Sequence, residues 1–144
     1  MEELCDILCE VPIFEGIPAH GIQTMLNCFY GTVKSFGKGC IIDTETESSS
    51  YIGIILSGSI VIFEDLGPGY QKLLEVKHKH DVFGRVFFQN YGALKRKIGI
   101  CSIHDCEILF LDYEKILSAC YLCCFFHMRF LSQLKALLIT YQDK

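Results

Sequence analysis

Basic residues are concentrated in one part of the chain and could form an anion site. Arg85 follows Gly84 directly, and Lys95, Arg96 and Lys97 form a run further on. A guanidinium group is a planar fork that donates to two oxygens of one phosphate or carboxylate at once. These residues can form an anion site if the fold brings Arg85 close to the run at 95–97. The alternative is a solvated basic loop in which Arg85 pairs with a nearby acid.

Two histidines, His78 and His80, are separated by one residue in a segment with strand character. Alternate residues of a strand project from the same face, so the two imidazoles are predicted to lie side by side. Such a pair can ligate zinc or iron if a third ligand, His104 or Glu75, joins it. We favour a surface pair and keep a metal-dependent, cupin-like enzyme as the alternative.

The chain has nine cysteines, which is a high and an odd count. An odd count without a secretion signal argues against a disulfide framework and favours small buried side chains in a reducing compartment. An iron–sulfur cluster, which needs about four thiolates, is the alternative. The nine cysteines are Cys5, Cys9, Cys28, Cys40, Cys101, Cys106, Cys120, Cys123 and Cys124.

Signatures of catalysis are missing from the sequence. It contains no nucleophile elbow, no HExxH and no phosphate-binding P-loop. The nearest group of carboxylates, Asp43, Glu45 and Glu47, belongs to a polar loop in which nothing suggests a shielded site. We therefore predict that the chain is not an enzyme and that it holds no metal and no resident cofactor.

Length and composition predict one globular domain. The chain has 144 residues, 51% of them hydrophobic, and a net charge of -4. An acidic domain attracts phosphate backbones poorly, so these residues alone are not expected to bind DNA. The N-terminus carries acids where a signal peptide has basic residues, and glycine and serine interrupt the apolar stretch 52–62. We expect a cytoplasmic protein that does not enter membranes.

The pattern of apolar residues divides the chain into three parts. Residues 1–30 have helical periodicity, and 32–111 consist of short β segments separated by glycine turns, which is typical of a sandwich or barrel. Within that part, 98–103 and 106–111 are predicted to form a hairpin joined at His104 and Asp105. Residues 112–120 and 124–142 return to helix.

The last helix carries two apolar stripes. One has heptad spacing, and the neighbouring stripe contains Phe126, Phe130 and Leu137. One stripe would pack on the β segments and the other on a second copy of the chain, so we predict a homodimer. The alternative is one wide core face in a monomer. The heptad stripe consists of His127, Leu131, Leu134, Leu138 and Tyr141.

Four local motifs, in this order and spacing, resemble the Crp/Fnr family of transcription regulators. The motifs are 11–17 (VPIFEGI), 36–42 (FGKGCII), 51–60 (YIGIILSGSI) and 81–84 (DVFG). The resemblance implies a double-stranded β-helix, the jelly-roll β-roll of cyclic-nucleotide-binding-like domains, with flanking N-terminal helices and a long C-terminal dimerisation helix. It implies one sensor domain over 1–144, whose DNA-reading helix-turn-helix domain is absent from this chain.

The resemblance also bears on the ligand. Gly84 matches the start of the family's phosphate-binding cassette, where cyclic-nucleotide binders place a glutamate for the ribose; here that position is Arg85. Arg96 matches the arginine that holds the cyclic phosphate, and Lys97 falls at the hydroxyl position after it. A donor of opposite charge thus replaces the sugar acceptor, which argues against cAMP. We expect another small anionic or organic effector.

A ligand-independent interaction module is the alternative to an effector sensor. Phe87, Phe88 and Tyr91 follow Gly84 closely and can fill the space that a nucleotide base would occupy. In that case the pocket is closed by the chain's own side chains, and only contacts with other proteins remain as a function.

Overall fold

Helices at both ends of the chain enclose a region of strands. The computed structural model describes residues 2–43, 51–84, 98–118 and 125–142. The N-terminal part contains α1 (Glu2–Leu8), a 3-10 turn (Pro12–Phe14) and α2 (Ala19–Cys28), and the C-terminal part contains α3 (Tyr113–Leu117) and α4 (Phe125–Gln142). The strands between them are β1 (Thr32–Phe36), β2 (Ile41–Asp43), β3 (Tyr51–Ser57), β4 (Ile60–Gly67), β5 (Tyr70–Lys77), β6 (Val82–Phe83), β7 (Ile98–Ser102) and β8 (Cys106–Asp112).

The strands form two antiparallel sheets, which confirms the predicted jelly-roll fold. Sheet 1 has the order β1-β8-β3-β6, and sheet 2 has the order β2-β7-β4-β5. Consecutive strands such as β3 and β4, or β7 and β8, belong to different sheets, so the chain repeatedly crosses from one sheet to the other. This winding is what closes the strands into a roll.

Sheet 1 is the central layer, and β3 shows why its residues are apolar on both faces. Ile52, Ile54 and Leu56 belong to the core shared with the helices, whereas Ile55 belongs to the core between the sheets. Alternate strand residues point to opposite faces, so a strand between two layers reads as a continuous apolar run. The layers therefore follow the order helices, sheet 1, sheet 2.

The predicted hairpin of 98–103 and 106–111 is wrong. Strand β7 pairs with β2 and β4, while β8 pairs with β1 and β3 in the other sheet. His104 and Asp105 thus connect two sheets instead of two neighbouring strands. Two short apolar strands joined by a polar turn have the same sequence pattern in both arrangements, which is why the pattern did not distinguish them.

The connection between β3 and β4 contacts the connection between β7 and β8 at one end of the roll. The single hydrogen of the Cys106 thiol is shared between the backbone oxygens of Ser59, at 3.2 Å, and His104, at 3.0 Å. Gly58 lies against the same place with φ +88, and a Cβ there would overlap the backbone oxygen of Asp105. Burial raises the pKa of the Cys106 thiol, and Asp105 adds to the effect, although both hydrogen bonds oppose it. Cys106 is therefore a neutral hydrogen-bond donor.

We expect Gly58→Ala to destabilise the protein more than Gly39→Ala. Both glycines have positive φ, but a Cβ at Gly39 meets nothing within 4 Å. The control should lose about 1 kcal/mol of unfolding free energy to backbone strain alone, and Gly58→Ala about 3 kcal/mol because overlap adds to the strain. Urea unfolding of the two variants measures the difference. Equal losses would contradict the contact between the connections.

Candidate effector site and C-terminal helix

Gly84, the first predicted site residue, directly follows β6, which pairs with β3. Strand β6 pairs with β3 through Gly53 opposite Phe83 and Ile54 opposite Val82. Gly84 has φ +154, and a Cβ there would lie 2.6 Å from the backbone oxygen of Tyr51. The close approach of two backbones thus requires glycine here.

The other residues of the predicted anion site lie outside the described residues. This holds for Arg85, Arg96 and Lys97, and for the whole segment 85–97 that contains the predicted pocket-filling aromatic residues. Their grouping stays a prediction.

The described wall next to Gly84 is aromatic. The ring of Tyr51 lies 5.1 Å from that of Phe110 and 6.3 Å from that of Phe83, in edge-to-face geometry. Phe36 lies 6.1 Å from Phe110 on the same inner face of sheet 1. Phe83 is buried over Gly53, where a Cβ would meet its ring at 2.5 Å, and the other three rings are partly exposed.

The sequence did not predict this group of Phe36, Tyr51, Phe83 and Phe110, because the predicted pocket-filling rings follow Gly84. The signal was present in the period-two alternation of β3, since Tyr51 and Gly53 share the inner face with Ile55. The ammonium of Lys34 lies 5.6 Å from the centre of the Phe110 ring and places a positive charge beside the group. Such a wall can stack a planar ring or fill the roll by itself.

The predicted side-by-side placement of His78 and His80 is wrong. Strand β5 ends at Lys77, and both histidines belong to the turn before β6, where the backbone N–H of His80 donates to the oxygen of Ile55. His80 has φ +76, a conformation that favours glycine. A positive φ breaks strand alternation.

The two imidazoles consequently have different neighbours. His78 Nδ1 lies 3.2 Å from the hydroxyl of Ser59, and His80 Nε2 lies 3.5 Å from a carboxylate oxygen of Glu10. Glu75, a suggested third ligand, pairs with Lys77 at 3.0 Å. Among the described residues, no three metal-ligating side chains come together.

The cysteines that the described part includes do not share one environment. Cys5 and Cys106 are buried, whereas Cys9, Cys28 and Cys40 are exposed and Cys101 is intermediate. The group at 120–124 lies outside the described residues.

Helix α4 uses much of its predicted heptad stripe within its own chain. His127 is 8% exposed, its Nε2–H donates to the backbone oxygen of Ile116 at 2.6 Å, and its ring lies 5.1 Å from that of Phe29. Leu134 is fully buried, and Leu131 and Leu138 pack partly buried against the same core.

The neighbouring stripe on α4 also packs on this body. Phe130 is fully buried, and Phe126 and Leu137 contact the helical core. The side chain of Tyr141 lies outside the described residues. A contact between the predicted heptad stripe and a second copy of the chain stays a prediction.

Two side chains of α4 hold the N-terminal segment through one carbonyl group. Arg129 Nε and Gln133 Nε2 each donate to the backbone oxygen of Glu15 at 2.8 Å. The guanidinium of Arg129 lies where a Cβ of Gly16 would be, and the ring of Phe126 lies over Gly21 in the same manner. Two glycines thus let α4 approach closely.

The outer side of α4 carries a second heptad-spaced stripe that remains exposed. Phe125 is 66% exposed, Met128 64% and Ile139 57%, with Ser132 exposed between them. A groove runs along this side, lined by Phe125, Met128, Arg129, Ser132 and Gln133. Three, four and seven residues separate the members of the stripe, and the exposed Lys135 occupies the heptad position between Ser132 and Ile139, so the contiguous apolar part of this side is Phe125 and Met128.

Comparison with known proteins gives structural relatives only. No family model matches the sequence, and no curated protein matches it. DNR from Pseudomonas aeruginosa superposes with a TM-score of 0.71 and 16% identity, over 99% of this chain and 62% of DNR. The catabolite activator protein of Thermus thermophilus gives a TM-score of 0.68 and 19% identity, over 90% of this chain and 57% of that protein.

A third relative comes from a different class of protein. The regulatory subunit of a cAMP-independent protein kinase A from Trypanosoma cruzi, bound to guanosine, gives a TM-score of 0.69 and 17% identity, over 99% of this chain and 46% of the subunit. The chain therefore shares the β-roll fold of these proteins, and it spans about half of their length. No helix in the described residues is long and apolar enough to cross a membrane.

We expect His127→Ala to lower the unfolding free energy by about 2–4 kcal/mol. The substitution removes the ring packed on Phe29 and leaves the buried oxygen of Ile116 without its donor. His104→Ala is the control, because its side chain is exposed and should change stability by at most about 0.5 kcal/mol. Urea unfolding compares the two; similar effects would mean that His127 does not hold α4 to α3.

Proposed function

We propose that this chain is the effector-sensing and dimerisation domain of a Crp/Fnr-type transcription regulator, and that its effector is not cAMP. The fold that it shares with the Thermus catabolite activator protein and with DNR supports the class. Residues 1–144 are not expected to bind DNA themselves, since a net charge of -4 makes them a poor partner for phosphates.

The observation that carries the proposal is the outer side of α4. The helix is held to its own body through Arg129, Gln133 and His127, yet it leaves Phe125 and Met128 exposed on the other side. A helix that needed only to complete a monomer would present polar residues there. In the dimer that we propose, this outer stripe forms the seam between two copies.

The effector would lie against the aromatic wall, between Gly84 and the inner face of sheet 1. Rings at Tyr51 and Phe110 suit a planar organic group, and Lys34 beside Phe110 suits a negative charge on it. Arg85, at the position of the ribose-binding glutamate in the family, removes the acceptor that selects a cyclic nucleotide. The guanosine-bound relative is itself described as cAMP-independent.

Signalling would proceed by a shift between two arrangements of α4. Strand β8 joins α3 through Asp112, which caps α3 by accepting from the backbone N–H of Glu114 at 2.9 Å, and His127 links α3 to α4. An effector that binds one arrangement more tightly changes the population of α4 positions and thereby the dimer.

The alternative function is a ligand-independent interaction module. The mutual contacts of Tyr51, Phe83 and Phe110 favour it, because rings that pack on one another fill space without a ligand. A metal-dependent cupin-like enzyme is a weaker alternative, since His78 and His80 do not share a face. Metal analysis of protein purified without a histidine tag tests this alternative.

Addition of cAMP at about 1 mM should leave the thermal midpoint of unfolding unchanged. An effector present at 100 times its dissociation constant would add about 2.7 kcal/mol of stability and raise the thermal midpoint by several degrees. We would test cAMP, guanosine and benzoate against the wild type and against Tyr51→Leu, which alters the aromatic wall. A rise with cAMP would show that the effector assignment is wrong. A rise with guanosine or benzoate that Tyr51→Leu weakens supports the proposal, and no rise with any compound favours the interaction module.

Met128→Lys should convert a dimer into a monomer, because it places a charge in the apolar seam. Sedimentation velocity should give twice the 16.4 kDa chain mass for the wild type and the single chain mass for this variant. Leu117→Lys is the matched control, since Leu117 is 53% exposed on α3 and is not a member of the outer stripe of α4, and the wild-type mass should persist. A dimer that survives Met128→Lys would remove α4 from the interface.

A further inference from the structure

Strand β5 carries two charged residues on the side that faces the interior of the roll. Lys77 lies directly opposite Ile60 of β4, and Glu75 lies directly opposite Ile62. Ile60 and Ile62 belong to the apolar core between the two sheets, and residues directly opposite one another in an antiparallel pair share a face. Lys77 and Glu75 are therefore on the face of sheet 2 that points toward sheet 1.

The lysine of this pair is deeper than the carboxylate. Nζ of Lys77 lies 3.0 Å from Oε1 of Glu75, and the side chain of Lys77 is 10% exposed whereas that of Glu75 is 33% exposed. Among the Asp, Glu, Lys and Arg residues that the structure describes, Lys77 is the one that is buried. A buried ammonium group has lost its hydration and needs an anionic partner. Glu75 can turn toward water more readily than Lys77 can.

Burial, and not net charge, distinguishes Lys77 from the charged residues around it. Toward the β4–β5 turn, Glu64 lies directly opposite Lys72, so charges of both signs occur there. In the turn after β5, the carboxylate of Asp81 accepts a hydrogen bond from the backbone N–H of His78. Lys72 and His78 are exposed to solvent, which screens their charge. The requirement for an anion is therefore strongest at Lys77.

The ion pair lies on the same side of the roll as Gly84. Strand β5 is the last strand of sheet 2, β6 is the last strand of sheet 1, and the short turn 78–81 joins the two. These edge strands thus line one side of the roll. There β6 contributes the buried ring of Phe83 and leads to Gly84, and β5 contributes Glu75 and Lys77.

The interior of the roll is less tightly enclosed around the aromatic wall than in its apolar core. Ile60 and Ile62 are fully buried, whereas Tyr51 and Phe110 on sheet 1 and Leu74 on β5 are only partly buried. Facing sheets lie about 10 Å apart. A planar ring on the wall can therefore present a charged group to a lysine of sheet 2.

We infer that Lys77 binds the anionic group of the effector, and that this group takes the place of the Glu75 carboxylate. The effector is then a small planar aromatic carboxylate whose ring contacts Tyr51 and Phe110. Apolar residues in place of a buried ion pair commonly give equal stability, so stability alone does not account for the pair. The inference rests on the proposed effector site and adds its anion-binding residue and its chemical class.

Isothermal titration calorimetry of the chain with benzoate, at constant ionic strength, tests the inference. We would compare the wild type with Lys77→Met, with Glu75→Gln and with the double variant Lys77→Met/Glu75→Gln. Lys38→Met is the matched control, because Lys38 is exposed and its loss removes the same charge from the surface. Benzyl alcohol, which has the ring without the carboxylate, is the control ligand.

The two partners of the pair should change the affinity for benzoate in opposite directions. Lys77→Met should weaken binding at least about tenfold, and Glu75→Gln should strengthen it about tenfold because no carboxylate competes for the ammonium. The double variant should bind as weakly as Lys77→Met. Lys38→Met should bind as the wild type does, and benzyl alcohol should not distinguish the wild type from Lys77→Met.

Glu75→Gln leaves the buried ammonium of Lys77 without its carboxylate, so this variant should have a lower thermal midpoint. Benzoate should raise that midpoint by more than it raises the midpoint of the wild type. If Glu75→Gln does not fold even with benzoate, the comparison of Lys77→Met with the wild type and Lys38→Met decides.

The inference is overturned if Lys77→Met binds benzoate as tightly as the wild type, or if benzoate binds neither the wild type nor Glu75→Gln. Failure of the proposed function has a different result. The loss of the dimer in Met128→Lys does not involve Lys77. A benzoate effect that Tyr51→Leu weakens and Lys77→Met does not would keep the aromatic effector site and remove Lys77 from it.

Discussion

Strand β3 has to be buried on both of its faces, and the rest of the structure depends on this requirement. Its Ile52, Ile54 and Leu56 are buried against the helices, and its Ile55 is buried against sheet 2. Loss of either layer would therefore expose apolar side chains of β3 to water. The same strand carries β6 on one edge and thereby places Gly84 and the aromatic wall. Fold and candidate site are thus supported by one strand.

The sequence predicts local elements better than it predicts their partners. Glycine turns and apolar alternation predict a β region over 32–111, where the structure has its strands, and heptad spacing predicts α4. Alternation carries no information about which sheet a strand joins, so β7 and β8 are mistaken for a hairpin. A positive φ at His80 interrupts alternation without a glycine to announce it. The inner aromatic group comes from strands distant in sequence, and only pairing brings its rings together.

Helix α4 illustrates how one pattern can serve two purposes. Its 18 residues contain overlapping heptad stripes, and periodicity alone does not say which of them faces the chain's own core. Polar contacts decide the question here: His127 reaches Ile116, and Arg129 and Gln133 reach Glu15, so the helix is turned with Phe125 and Met128 outward. His127 is a polar residue within an apolar stripe, and a buried imidazole needs a hydrogen-bond partner, which the backbone oxygen of Ile116 supplies in this orientation of the helix.

The thiol of Cys106 joins two connections that are far apart in sequence, and this limits where the chain can vary in length. Neither 57–59 nor 104–105 can accept an inserted residue without separating Ser59 from Cys106. The β4–β5 turn is free of this restriction, since Gly67 and Gly69 have open space around them. Additional residues, an epitope or a fluorescent label can enter the chain at Pro68 while the roll stays closed.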